Sequence, residues 1–98
     1  MSKLDTQLAL LKTDIGLMRV TAEQNSYLTM LLTMAASAIA REGIVLKDAE
    51  LEDNGLVAMY AAWLYRKRQQ PADAGMMPRM LRYQLNNKLV SQKMSVAP

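Results

Sequence analysis

Leu56-Val-Ala-Met-Tyr-Ala-Ala-Trp-Leu-Tyr65, followed at once by Arg66-Lys67-Arg68, decides how this chain folds. Ten consecutive apolar or aromatic side chains are too many for one face of a surface helix, and a membrane span needs about 18 or more. The block therefore reads as a central helix over about residues 54–69, with Leu56, Met59, Tyr60, Trp63 and Leu64 as its principal stripe. The three cations stand at its C-terminal end, where the helix macrodipole favours positive charge. A chain of 98 residues buries only about 60 to 65% of its unfolded surface. The expectation is that this helix keeps apolar area which copies of the chain must cover for one another.

Working outward, Leu4, Leu8, Leu11 and Ile15 recur at helical spacing and predict a helix over about 4–14 that Gly16 ends. Thr21-Ala-Glu-Gln24 has the spacing of a capping box and opens a second helix. Its apolar face is Leu28, Leu31, Leu32, Ala35, Ala38 and Ile39, and Gly43 is its stop. Residues 44–55 read as a connection in which Leu46 and Leu51 tuck in and Asp53-Asn54-Gly55 supplies turn and cap chemistry. Pro71 is expected to close helix three, and 71–75 to form a loop. Pro78 suits the first turn of a fourth helix reaching about Lys93. There Met77, Leu81, Leu85 and Leu89 share one narrow side, with Arg79, Arg82, Asn86 and Lys93 roughly opposite. No stretch reads as a strand. The fold class is all-α: a compact bundle of three helices over 1–70 and an appended, less buried C-terminal helix and tail over 71–98, in one domain.

Cysteine and histidine are both absent. Disulfides, thiolate chemistry, the common zinc sites and every Ser-His or Cys-His catalytic pair go with them. The isolated glycines form no phosphate-cradling loop. Asp48, Glu50, Glu52 and Asp53 loosely evoke a calcium loop but lack its spacing and terminal Glu. No catalytic residue, cofactor or metal is expected. The polar start, Met1-Ser-Lys-Leu-Asp-Thr-Gln, does not resemble a secretory signal, so the expected location is a cytoplasm or a particle assembled there. Methionine is frequent, at nine residues, and suits core gaps or adaptable contact surfaces.

The net charge of +3 is unevenly spread. Residues 1–65 hold five cations (Lys3, Lys12, Arg19, Arg41, Lys47) against eight anions (Asp5, Asp14, Glu23, Glu42, Asp48, Glu50, Glu52, Asp53), a balance of −3. Residues 66–98 hold seven cations (Arg66, Lys67, Arg68, Arg79, Arg82, Lys88, Lys93) against Asp73 alone, a balance of +6. Such polarity suits head-to-tail contact between copies or an anionic partner at one end. One reading of the basic third is a small nucleic-acid-binding regulator that grips phosphates.

The order of a Leu-rich N-terminal helix, a capped second helix, Leu-Val-Ala-Met-Tyr-Ala-Ala-Trp-Leu-Tyr-Arg-Lys-Arg and the trailing Met-Pro-Arg-Met-Leu-Arg-Tyr-Gln-Leu-Asn-Asn-Lys-Leu resembles the head-tail connector (head completion or adaptor) proteins of tailed bacteriophages. The resemblance covers roughly residues 4–93. Members commonly open the second helix with an acidic cluster, where this chain has Glu23 alone. The resemblance implies a virion protein without catalysis, forming a ring of copies under the portal protein. The ring would prolong the channel for passing DNA without reading its sequence, and would dock a downstream neck or tail protein. No membrane contact is implied. On this reading Met77, Leu81, Leu85 and Leu89 anchor the portal or subunit interface, Arg79 and Arg82 reach carboxylates across it, and Arg66, Lys67 and Arg68 form a basic helix end.

Overall fold

A computed structural model describes residues 3–16, 21–47, 51–69 and 77–96. Among the described residues the regular elements are four helices: α1 (Lys3–Ile15), α2 (Ala22–Arg41), α3 (Leu51–Gln69) and α4 (Arg79–Val96). Helix α3 is the hub. It packs along α1 and α2 and carries α4 as well. Gln7 meets Asn54 and Asp14 meets Arg66, so α1 runs parallel to α3, whereas the Tyr27–Tyr65 ring contact makes α2 antiparallel to it.

Local chemistry sets the helix ends. Thr21 Oγ1 accepts the Gln24 N–H at 3.1 Å and Gln24 Oε1 accepts the Thr21 N–H at 2.9 Å, so the capping box closes both ways. Gly16 (φ 79°) and Gly43 (φ 96°) take left-handed backbone just past α1 and α2, a region that glycine enters without Cβ strain. At the start of α4, the Arg82 N–H donates to the Pro78 carbonyl, so the proline sits at the boundary. Pro71 and the 71–75 loop lie outside the described residues.

The core differs from expectation on α3. Its fully covered face is Leu56, Val57, Ala58, Ala61 and Ala62, while Met59, Tyr60, Trp63 and Leu64 are only half-buried. An all-apolar helix carries no moment to say which side faces inward, and here the small residues take the tight positions between α1 and α2. This face is covered within one chain, and the apolar area that α3 keeps lies on the half-buried Met59, Tyr60, Trp63 and Leu64. On α1, Leu11 is fully buried and Leu4 is exposed, and Gln7 takes the inner position. Leu28, Leu31, Leu32, Ala35 and Ile39 form the buried face of α2, with Ala38 at its edge.

Two further expectations are corrected. Helix α3 begins at Leu51, so Asp53, Asn54 and Gly55 are helical, and Leu51 is exposed while Leu46 packs on the core. The reason is that Asp53 and Asn54 find partners distant in sequence, which frees them from cap duty. Gly55 has no positive φ, and nothing lies within 4 Å of where its Cβ would be. Gly55→Ala should therefore raise stability by about 0.5–1 kcal/mol in urea unfolding. A loss of stability would place Gly55 in a turn.

Candidate functional site

Helix α4 presents two faces. The inner one carries Leu81 and Leu85, both in the common core, with Met77 and Leu89 packed beside them. The expectation that Leu81 and Leu85 dock another protein is thereby corrected, since both are already covered by the body of their own chain, while Met77 and Leu89 are half-buried beside them. A Cβ on Gly43 would lie 3.5 Å from Leu89 Cδ1, an ordinary contact, so the φ of 96° and not crowding is what calls for glycine there.

Polar side chains tie this face to the body at three points. Arg82 grips the carboxylate of Glu42 with two guanidinium nitrogens, Nη2 to Oε1 and Nη1 to Oε2, so it too is engaged within the chain. Lys88 Nζ lies 2.6 Å from Asp53 Oδ1, as an ion pair and not an aligned hydrogen bond, while the Lys47 N–H donates to Asp53 Oδ2 at 2.7 Å. Gln92 acts as a strand would. Its Oε1 accepts the Val45 N–H at 2.8 Å and its Nε2 donates to the Val45 carbonyl at 2.7 Å.

The outer face of α4 is the surface that sequence reasoning missed. Met80, Tyr83 and Val90 follow one another on it, three and seven positions apart, with exposures of 63%, 65% and 55%. Arg79, Asn86, Asn87 and Lys93 are exposed around them. Polar neighbours hide this second stripe from a periodicity reading, because Leu81, Leu85 and Leu89 dominate the pattern.

The basic end of α3 is split among three partners. Arg66 Nη2 donates to the Asp14 carboxylate at 2.7 Å and to its carbonyl at 3.0 Å. Lys67 Nζ stands 5.1 Å from the centroid of the Trp63 ring, and the Arg68 guanidinium lies 5.9 Å from that of Tyr27. The Trp63 Nε1–H is buried with no acceptor, a cost of about 1–3 kcal/mol that the contact of its ring with Lys67 offsets in part.

Among the described residues no group of three or more His, Cys, Asp or Glu side chains could hold a metal ion, and no helix is long and apolar enough to cross a membrane. Glu52 is exposed and Asp53 is engaged by Lys88 and Lys47, while Asp48 and Glu50 lie outside the described residues. A cavity of about 450 Å³ opens between α1, α2 and α3, with Gln7, Asp53 and Asn54 in its wall. Gln7 Nε2 donates to Asn54 Oδ1 at 3.0 Å, so its polar wall is largely self-satisfied. Comparison with protein-family models, curated proteins and solved structures finds no match for this chain.

Tyr60 sits beside the Glu42–Arg82 pair. Burial raises its pKa above the usual 10.0, the Glu42 charge adds to the rise, and Arg82 opposes it. The neutral phenol is thus favoured by folding, so its contribution is complete below pH 10.0 and is lost as pH climbs through the raised value. In an absorbance titration of phenolate, Tyr60→Phe should delete a phase lying above pH 10.0; deletion of a phase at or below 10.0 would contradict the burial effect. Lys88→Met should cost about 3–5 kcal/mol in urea unfolding, because it strands a buried carboxylate. A loss under about 1 kcal/mol would be the behaviour of a solvent-exposed pair.

Proposed function

We propose that this chain is a structural subunit of the neck of a tailed bacteriophage. Copies form a ring beneath the portal protein, prolong the DNA channel, and offer a docking surface to the next neck or tail protein. The observation that carries this reading is the outer stripe of α4. Met80, Tyr83 and Val90 stay open to solvent on a helix whose inner face is already committed to the core. Exposed apolar side chains in line on one helix mark a contact with another molecule. The helix order and the aromatic-to-basic junction of α3 supply the resemblance to connector proteins.

The charge distribution supports the same assignment. Arg79 and Lys93 border the stripe, and neither they nor Lys67 have a carboxylate partner among the described residues. Such cations attract passing DNA without reading its sequence. A dedicated nucleic-acid regulator would gather its cations on one face. Here Arg66, Lys67 and Arg68 turn to Asp14, Trp63 and Tyr27, which favours the neck reading.

Native mass spectrometry of the pure chain, alone and with its portal protein, tests the proposal. The wild type should form a closed ring or a portal complex, and Tyr83→Asp should lose it while keeping its circular dichroism. Leu81→Asp should instead lose the fold, because it buries a charge in the core. A wild type that stays monomeric under both conditions, or a Tyr83→Asp variant that still assembles, would overturn it.

A further inference from the structure

We infer that the groove between α2 and α3 is a docking site for an amphipathic helix of another protein, one that carries two carboxylates two turns apart. This inference does not depend on the neck assignment. The groove holds a cavity of about 300 Å³ between Met34 and Ala38 on α2 and Tyr60 and Leu64 on α3. Met34 on its rim and Met30 one turn earlier are 39% and 42% exposed. Methionine adapts its shape to an incoming apolar surface, and grooves of this kind accept helices through residues at i, i+3, i+4 and i+7.

The ends of the groove give the occupant its chemistry. Arg41 lines one end. At the other, Arg68 reaches Met34, its Nη2 being 4.0 Å from the sulfur. Both guanidinium groups are exposed, and no carboxylate of the described residues pairs with either. Seven residues separate Met34 from Arg41 along α2, a rise of about 10 Å. A docked helix with acids at i and i+7 and apolar side chains at i+3 and i+4 therefore matches both cations and the apolar floor. Nucleic acid fits poorly, since its phosphates would lie against Met34 and Leu64. A second copy fits poorly as well. No described helix of this chain carries two carboxylates seven positions apart.

The test titrates the full chain against a fluorescently labelled synthetic helix with Glu at i and i+7 and Leu at i+3 and i+4, and against the same helix with Lys for Glu. The Glu helix should bind saturably, and the Lys helix should bind at least about tenfold more weakly. Binding of the Glu helix should fall as salt is added. Arg41→Glu with Arg68→Glu should reverse the preference, and Met34→Asp should weaken the Glu helix with circular dichroism unchanged. If the double variant proves unfolded, the comparison of the two helices on the wild type still decides. Absent binding of the Glu helix, equal binding of the two, or an unchanged preference in the folded double variant would overturn the inference. So would competition by duplex DNA for the Glu helix, or self-association of the chain that Met34→Asp abolishes.

Discussion

Close approach of two helices to the small-residue face of α3 is the constraint on which the rest of the molecule depends. Ala58, Ala61 and Ala62 are fully covered, and residues without long side chains let neighbouring backbones come near. The bulk of the core then comes from the partners: Leu11 of α1, and Leu28, Leu31, Leu32 and Ile39 of α2. The large side chains of α3 are displaced to the seams, where Tyr60 meets Trp63 edge-on at 5.5 Å and Tyr65 meets Tyr27. There they remain half-exposed, and the groove beside Tyr60 and Leu64 follows from that displacement.

Helix α4 is attached by a second principle. Its apolar contribution to the core is narrow, chiefly Leu81 and Leu85, and the orientation is fixed by polar ties to Glu42 at the end of α2, Val45 beyond it and Asp53 in the first turn of α3. The buried Asp53–Lys88 pair is the demanding one, because an ion pair taken out of water is tolerated only when every partner is in place. Three such ties along one flank leave the opposite flank unclaimed. That geometric leftover is what makes Met80, Tyr83 and Val90 available to another molecule.

Much of the fold was legible wherever the deciding interaction is local. Thr21 and Gln24 announce a helix start because their bonds span three residues, and Gly16 and Gly43 announce ends because the backbone there turns left-handed. Pro78 marks the α4 boundary for a similar reason. Illegible were the decisions made across the chain. Asp53-Asn54-Gly55 looks like turn chemistry until Lys88 and Gln7 occupy the first two side chains. Periodicity groups Leu81 and Leu85 on one face without telling whether their cover belongs to the same molecule. The apolar run of α3 conceals its inner side altogether, and the outer stripe of α4 is too interrupted by polar residues to stand out.

The central claim is that one chain suffices to cover the inner face of α3, so that any interface between molecules lies elsewhere. Hydrogen exchange followed by mass spectrometry, on a solution dilute enough to hold single copies only, measures this directly. Amides over residues 56–65 should be the slowest to exchange in the molecule, and assembly should slow the outer α4 segment far more than α3. Rapid exchange across α3 in the single copy, with protection arriving only on assembly, would contradict the account.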